Sequence, residues 1–283
     1  MGIEVVVIDS SPDRATMVLV DRFANRLTLS IPDPAGIDGC YPKMNYGVAH
    51  ARADHVAWLC QDDLWLPGRA AVVREWIAAA PLAALHLAPT AIIDSDDCVL
   101  GIWRCPLKAG PVDPATLAEK LIVQNFVAVA SPVVRRDAWL ACGGLDLNLW
   151  YTGDWDLWLK LGQQGEVFYH EEVTAGFRIH GESATSTGSR DRADFVKQHQ
   201  IVVDRHIAAI PARRRAPARR LADASITVNA ALAAAAHGEA GALGQAVRTV
   251  AELGPLDAGR YLHRSRIIER ALPRLRAKWA GAL

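Results

Sequence analysis

The sequence predicts an α/β fold with a mostly parallel sheet and flanking helices, followed by an α-helical C-terminal region. Three observations support this prediction. Over the first 100 residues, apolar β-branched runs alternate with segments of helical periodicity, as in strand–helix–strand units. The first run, residues 3–9 (IEVVVID), is nearly continuous in apolar character, as strands covered on both faces are. From about residue 190 the chain becomes rich in Ala and Arg and reads as helices.

Each element follows from local signals. The first strand is followed at 10–13 by Ser-Ser-Pro-Asp, a turn and helix-start signal, so a helix is expected next. Short apolar runs between Gly, Pro and Asp predict strands at 3–9, 27–32, 55–60, 82–94, 99–105, 166–170 and 174–180. Helical spacing predicts helices at 14–26, 44–53, 66–80, 114–125 and 153–165, and residues 126–145 read as a strand followed by a short helix. The strands at 82–94 and 99–105 are expected to pair as a hairpin, and the C-terminal helices to break at 210–220.

Composition describes an ordinary globular chain. Of 283 residues, 51% are hydrophobic and the net charge is zero, so no global attraction to nucleic acid is expected. Residues 190–283 hold 17 basic against 8 acidic residues, whereas residues 1–189 carry the opposite excess. The five cysteines have no C-x-x-C spacing, and neither a membrane span nor a signal peptide is evident. A cytoplasmic location with reduced cysteines is therefore expected.

Acidic residues recur at the ends of predicted strands. Asp9 follows the first strand, and the pair Asp62–Asp63 follows the strand at 55–60. Ligands bind at the carboxyl ends of strands in such sheets, and paired carboxylates suit a hard cation that also contacts phosphate. His180 ends a later strand and could add a nitrogen ligand, while Asp154 opens a helix. The alternative for the Asp62–Asp63 pair is a solvated turn.

Three segments, taken in order, resemble glycosyltransferase family 2. They are EVVVID with the turn that follows it, the stretch GCYPKMNYGVAHARADHVAWLCQDD, and the stretch from GGLDLNLWYTGDWDLWLKLG to FRIHGESAT. The resemblance implies a GT-A-type, Rossmann-like fold and a nucleotide-sugar-dependent, inverting enzyme that uses Mn²⁺ or Mg²⁺. It also implies a catalytic domain at 1–189, with a nucleotide-binding half to about residue 100 and an acceptor half after it. Residues 190–283 form a separate helical region.

The resemblance also implies roles for individual residues. Asp154 matches the catalytic base, and Asp63 and His180 match the metal ligands. Residues expected to bind the nucleotide-sugar are Asp9, Asn45, Gly47, Asp62, Arg178 and Ser183. Each has a structural alternative: Asp9 as a strand-end cap, Asn45 as a helix cap, Gly47 for close packing, Asp154 as a helix-dipole carboxylate and His180 as a surface residue. Trp65, Trp155 and Trp158 are candidates for a sugar pocket, with core packing favoured for Trp158.

The sequence departs from the family pattern at three places. Cys60 stands where the family often has the first acidic residue of its metal motif, and Gly153 stands where it usually has Glu. The family's first strand, with its turn, is expected to be absent, since Met1 lies where the second strand starts. A non-catalytic nucleotide or sugar binder, or a truncated inactive form, is therefore the alternative function.

Partners follow from the same resemblance. The expected donor is a nucleoside-diphosphate sugar, and the acceptor is a glycan, a lipid-linked compound or a small molecule. Five Arg at 213–220 (RRRAPARR) are interpreted as a solvated linker face or as a peripheral contact with an anionic membrane at its inner face. The helices that follow are expected to pack on the catalytic domain or to form a homodimer contact.

Other α/β enzymes fit less well. A nucleotidyltransferase needs a Gly-rich phosphate loop with a basic residue after its first strand, which residues 9–16 do not provide. A phosphatase of the haloacid dehalogenase type needs Asp-x-Asp after VVVI, where this chain has Ser11 at the second acidic position.

Overall fold

The computed structural model describes residues 2–11, 13, 15–23, 28–30, 36–180 and 191–279. Its strands are β1 (Glu4–Val6), β2 (Thr28–Ser30), β3 (His55–Val56), β4 (Leu64–Trp65), β5 (Leu85–Leu87), β6 (Thr90–Ile93), β7 (Val99–Trp103), β8 (Gly110–Val112), β9 (Val133–Arg135), β10 (Val167–Tyr169) and β11 (Ala175–Arg178). The N-terminal and central helices are α1 (Ala15–Asp21), α2 (Cys40–His50), α3 (Arg69–Ala79), α4 (Pro114–Leu121), α5 (Arg136–Ala141) and α6 (Gly153–Leu161). The mixed α/β class with flanking helices is confirmed.

The strands form three small sheets in the described part of the chain. Their orders are β1–β2, then β3–β9–β5–β10–β8, then β4–β11–β6–β7. Parallel pairing joins β1 to β2, β5 to β10 and β6 to β11, and the other pairs are antiparallel. The sheets are therefore mixed rather than mostly parallel. The order of strands and helices along the chain could not predict that β9 lies between β3 and β5 and pairs antiparallel with both. The predicted hairpin of β6 and β7 is present and adds an antiparallel strand at the edge of its sheet.

Two short strands were not predicted from the sequence. β4 has two residues and β8 has three, too few to show alternation. The predicted strand at 55–60 pairs only over His55–Val56. Beyond it, Trp58 packs in the core, stacked on Trp158 with ring centroids 5.5 Å apart.

The C-terminal region is helical, as predicted. It comprises α7 (Arg192–His206), a 3₁₀ turn (Ile207–Ala209), α8 (Ala212–Ala236), α9 (Ala242–Glu252), α10 (Pro255–Ser265) and α11 (Ile267–Trp279). One apolar cluster joins these helices to the sheets, since Leu221 and Tyr261 share it with Leu121 and Trp158. The C-terminal helices therefore pack on the part of the chain that contains the sheets.

The predicted helix break at 210–220 is wrong, because α8 runs without interruption through Pro217. Pro217 lacks the N–H that the carbonyl of residue 213 would accept, so the helix loses a single hydrogen bond near its N-terminus, and strong helix formers surround the proline. The Arg side chains of this segment are largely paired within the chain. Arg214 binds Glu119 at 2.8 Å and Arg220 binds Asp257 at 3.0 Å, while Arg219 lies between Asp204 and Asp223. These pairs neutralise charge that the membrane interpretation required.

A buried carboxylate fastens α6 to α7. Asp156 is fully buried and lies 2.9 Å from Arg205, 2.8 Å from His206 Nε2 and 3.1 Å from Lys160. Burial acts to raise its pKa, but the His206 hydrogen bond and the Lys160 cation hold the pKa down, at about 2. Asp156 therefore has a structural role.

We expect Asp156→Ala to lower the free energy of unfolding by about 3–5 kcal/mol, because it leaves Arg205, His206 and Lys160 without their shared buried anion. The matched control is Asp223→Ala, which removes an exposed i,i+4 pair with Arg219 and should cost about 1 kcal/mol or less. Urea denaturation of both variants measures the difference. Equal losses would contradict the anchoring role.

None of the described helices is both long enough and apolar enough to cross a membrane.

Candidate functional site

The pairing of β4 with β11 assembles the first part of the site. Leu64 lies opposite Gly176, so the Asp62–Asp63 pair before β4 meets the end of β11 and the residues after it. The backbone N–H of Arg178 donates to Asp63 Oδ1 at 3.0 Å. His180 Nε2 lies 3.0 Å from Asp62 Oδ2. Residues more than 110 positions apart in sequence are thus adjacent, as the sequence predicted for a strand-end site.

Asp63 is the most buried carboxylate of this group. It is 6% exposed, and burial raises the pKa of its carboxyl to about 6 against the opposing Arg178 hydrogen bond. The guanidinium of Arg178 contacts other groups: Nε donates to the Asp62 carbonyl at 2.7 Å, and the Nη atoms contact the Asp94 carbonyl and Asp97. Arg178 therefore fixes the loop that carries the carboxylates. Its contact with a nucleotide-sugar stays a prediction.

The donor set fits a divalent cation. Among the described residues, Cys60, Asp62 and Asp63 place ligand atoms within 4.8 Å of one another, and His180 adjoins Asp62. Two carboxylates alone suit Mg²⁺, whereas a nitrogen and a thiol ligand favour a softer ion.

Asp9 lies at the end of β1, where it forms a local turn. Its Oδ1 accepts hydrogen bonds from Ser11 N at 2.9 Å and Ser11 Oγ at 2.6 Å, which lower the pKa of the carboxyl. Lys43, near the start of α2, contacts the neighbouring Ser10. Asp9 is therefore ionised and acts as a strand-end turn residue, and its contact with a nucleotide stays a prediction.

Gly47 permits close packing of α2 on the end of β1. A Cβ at this position would lie 2.7 Å from Ile8 Cδ1, so a larger residue would push the end of the Ile8 side chain aside. Close packing is the structural alternative named for Gly47, and its contact with a nucleotide-sugar stays a prediction.

Asn45 joins the two halves of the site. Its Nδ2 donates to the Leu145 carbonyl at 2.8 Å, and its Oδ1 accepts from Leu145 N at 2.9 Å. Gly144, at a φ of 64°, leaves room for this amide, since a Cβ there would lie 2.4 Å from Asn45 Oδ1. Asn45 lies inside α2, so the helix-cap alternative is wrong. The amide binds backbone, and its expected contact with a nucleotide-sugar stays a prediction.

Asp154 lies in the first turn of α6, in a partly closed site. Asn125 Nδ2 donates to its Oδ2 at 3.1 Å, and Trp155 N donates to its Oδ1 at 2.7 Å. Burial outweighs both hydrogen bonds and raises the pKa of this carboxyl to about 6. A carboxylate with a pKa just below neutrality is well suited to accept a proton.

The N-terminus of α2 connects Asp154 to the strand-end carboxylates. A hydrogen bond with Cys60 lowers the pKa of the Cys40 thiol, while the charges of Asp62 and Asp154 both oppose that change. Cys40 thus lies within electrostatic reach of both acidic groups. Asp154 and Asp62 therefore share Cys40 as an electrostatic neighbour.

Tyr41 explains why residue 153 is Gly. A Cβ on Gly153 would lie 2.4 Å from Tyr41 Cε2, so the aromatic ring occupies the space that a longer side chain at 153 needs. The charge of Asp154 adds to the burial that raises the pKa of the Tyr41 phenol. At position 153, where glycosyltransferase family 2 usually has Glu, the Tyr41 ring therefore fills the space of a side chain.

The tryptophans divide between surface and core. Trp65 is 39% exposed, with Arg69 Cζ 4.9 Å from its ring centroid, and is the one of the three that a ligand can reach. Trp155 and Trp158 are buried, and Trp155 Nε1 donates to the Leu121 carbonyl at 2.8 Å. The sugar-pocket prediction is therefore wrong for Trp155, because its indole fills the core behind Asp154. Ser183 lies outside the described residues.

Sequence reasoning missed Asn125 and Tyr41. Asn125 belongs to a polar pair inside the apolar stretch LIVQNFVAVA, a pattern that could have indicated a buried polar contact. Nothing in the sequence near Tyr41 indicates that its ring packs on residue 153.

Comparison with known proteins adds independent information. No protein-family model matches the chain. An uncharacterized glycosyltransferase of Rickettsia typhi is 22% identical over 207 residues, and one of Rickettsia prowazekii is 20% identical over 201 residues. Each match covers 69% of this chain and 60% of the relative, so the chain spans about three-fifths of their length.

Solved structures resemble the fold as well. A mannosyltransferase from Pyrobaculum calidifontis, solved with GDP-Man and Mn²⁺, matches with a TM-score of 0.50 and 18% identity, covering 94% of this chain and 77% of that one. The chain has a glycosyltransferase-type fold. Residues 1–349 of TarS from S. aureus match with a TM-score of 0.50 and 12% identity, covering 87% of this chain and 79% of that one. The predicted glycosyltransferase resemblance is confirmed at this level.

Proposed function

We propose that the protein is an inverting glycosyltransferase of the family 2 type. It moves a sugar from a nucleoside-diphosphate sugar to an acceptor hydroxyl. The observation that supports this most is the meeting of Asp62, Asp63 and His180 at the ends of β4 and β11, where they can hold a cation. Asp154, whose pKa burial raises to about 6, acts with Asp62 on the same thiol, Cys40. The similarity to proteins named glycosyltransferases supports the same reaction.

The reaction uses one displacement. The acceptor oxygen forms a bond to the anomeric carbon while its proton passes to the Asp154 carboxylate. The bond between the anomeric carbon and the diphosphate oxygen breaks, and its electron pair leaves with the nucleoside diphosphate. Attack from the face opposite the leaving group inverts the anomeric centre, and no second carboxylate nucleophile is needed.

Residues that can bind a divalent cation are present where the nucleotide-sugar donor is proposed to bind. Asp63 and His180 would hold it, with Asp62 beside them, and such a cation supplies charge neutralisation for a diphosphate leaving group. Asn125 and the backbone N–H of Trp155 orient Asp154 toward its substrate. Trp65, exposed near the same strands, provides an aromatic surface for a sugar ring.

In this proposal residues 1–189 form the catalytic domain and residues 190–283 support it through the shared core. The protein works in the cytoplasm, which agrees with the free thiols of its five cysteines. The pairing of Arg214, Arg219 and Arg220 gives the Arg-rich segment a structural role, so the proposal does not extend to a membrane surface. The homodimer stays a prediction.

Calorimetric titration with UDP, GDP and dTDP, each with and without Mn²⁺, tests the proposal. We expect one nucleotide to bind with at least about tenfold higher affinity when Mn²⁺ is present, because a cation held by the carboxylates would offset the charge of the diphosphate. Folded protein that binds none of the three would contradict the proposal. Binding without transfer to any acceptor in a screen would favour the non-catalytic binder.

A further inference from the structure

Two arginines of α11 carry guanidinium groups that lie largely inside the protein, with no acidic partner among the described residues. Nε and Nη1 of Arg270 are buried and have no hydrogen-bond partner, and Nη1 of Arg274 donates to the Arg270 carbonyl at 2.8 Å. Burial lowers the pKa of both guanidinium groups, that of Arg274 to about 10, and the charges that act on them come from each other and from tyrosines. Both remain cations at neutral pH. A pair of like charges withdrawn from water is costly unless an anion joins it.

Asp154 and the two guanidinium groups all act on Tyr151, which lies three residues before Asp154 in the sequence. Burial raises the pKa of the Tyr151 phenol to about 12; the Asp154 charge adds to this, and Arg270 and Arg274 oppose it. Tyr151 therefore has the carboxylate and both cations as electrostatic neighbours. Its ring centroid lies 5.6 Å from that of His199, which lies 5.6 Å from that of Trp155, the residue after Asp154.

The position of α11 is fixed by contacts with β7 and the residue after it. Pro273 packs on Gly101, where a Cβ would lie 3.0 Å from Pro273 Cγ, and Arg104 N donates to Glu269 at 3.0 Å. The Arg270 guanidinium lies over the Trp103 ring, with Cζ 5.4 Å from the centroid. This cation–π contact offsets part of the desolvation but supplies no hydrogen-bond acceptor for Nε and Nη1.

We propose that Arg270 and Arg274 form a subsite for an anionic group of the acceptor, a phosphate or a carboxylate, beside Asp154. The inference rests on the proposed function and names the acceptor's class: a hydroxyl compound that carries a negative charge. Guanidinium groups bind such oxyanions through paired N–H donors, and the unpaired donors of Arg270 are of that kind. The donor diphosphate has its own residues at Asp63 and His180.

Calorimetric titration with inorganic phosphate tests the subsite. We expect phosphate to bind the wild-type protein, and to bind Arg270→Met and Arg274→Met at least about tenfold more weakly. The control is Arg276→Met, an exposed arginine on the same helix, which should leave the affinity unchanged. Arg270→Lys keeps the charge but loses the paired N–H donors, so its phosphate affinity should fall between that of the wild-type protein and that of Arg270→Met. This graded order separates loss of the cation from a folding defect.

Thermal melting gives a second readout. Without phosphate, Arg270→Met should melt above the wild-type protein, because a buried unpaired charge has been removed. Added phosphate should raise the melting temperature of the wild-type protein and not that of Arg270→Met. Unchanged phosphate affinity in both Met variants would overturn the proposal.

A competition experiment distinguishes phosphate binding at the proposed subsite from phosphate binding at the donor site. Phosphate should still bind when the preferred nucleoside diphosphate and Mn²⁺ are saturating, and should still bind Asp63→Ala. Displacement by the nucleotide, or loss in Asp63→Ala, would place the phosphate at the donor site and overturn the proposal. If phosphate binding depends on Arg270 but the protein binds no nucleotide, the subsite is supported and only the transferase function is contradicted.

Discussion

Replacing Asp154 with Asn is expected to lower the rate of sugar transfer by about 10²–10⁴-fold while nucleotide affinity is retained, because the amide cannot accept the acceptor's proton. Asn keeps the size of the side chain, and its oxygen can still accept the hydrogen bond from Asn125. The measurement is initial transfer rate together with calorimetric nucleotide affinity. Asp137→Asn is the control, since Asp137 is an exposed carboxylate in the first turn of another helix.

The same residue determines the pH dependence. The wild-type value of kcat/KM should fall as pH drops through about 6, where the Asp154 carboxylate becomes protonated. The folded-state pKa is raised above the unfolded value of 3.8, so ionisation of Asp154 disfavours the fold as pH rises through 6. Asp154→Asn should therefore be more stable than the wild-type protein at pH 8, by up to about 3 kcal/mol. Full activity of Asp154→Asn would exclude Asp154 as the base.

Replacing Asp63 with Ala is expected to abolish the Mn²⁺-dependent part of nucleotide binding, with an affinity loss of about tenfold or more, the factor that Mn²⁺ is expected to contribute. Asp63 is the most buried carboxylate of the cluster, and its removal leaves Asp62 and His180 paired with each other. Calorimetry with the preferred nucleotide, with and without Mn²⁺, measures the loss. Asp96→Ala, an exposed carboxylate in the loop beside Arg178, is the matched control and should bind normally.

A second variant separates metal binding from loop structure. Asp63 Oδ1 also accepts the backbone N–H of Arg178, so Ala leaves that donor without its partner. Asp63→Asn keeps an oxygen for this N–H and removes only the charge. If Asp63→Asn binds nucleotide with the wild-type Mn²⁺ dependence, Asp63 is not a metal ligand.

The strand-end cluster could be predicted from the sequence because strand order determines it. Asp62 and Asp63 follow one apolar run and His180 ends another, and α/β sheets bring such ends together. The pairing of β4 with β11, which joins them in the structure, involves a two-residue strand that leaves no periodic signal. The proximity was thus predictable, and the strand that produces it was not.

Contacts that depend on side-chain shape could not be predicted. Asn45 looked like a nucleotide contact by its position in the motif, yet both ends of its amide bind the backbone of Leu145, 100 residues away. Gly153 looked like the loss of a functional carboxylate, and only the Tyr41 ring above it shows what fills the space. Single-sequence patterns describe one element at a time, whereas these contacts join two.

The shared core has a consequence for how the protein is made. Leu221 and Tyr261 lie in the same apolar cluster as Leu121 and Trp158, so that cluster cannot close until the ribosome has synthesised residue 261. By then every proposed site residue from Asp9 to His180 has left the exit tunnel with part of its apolar support uncovered. Nascent chains of this kind depend on protection from aggregation late in synthesis. The C-terminal helices thus determine when, during translation, the proposed active site can first exist.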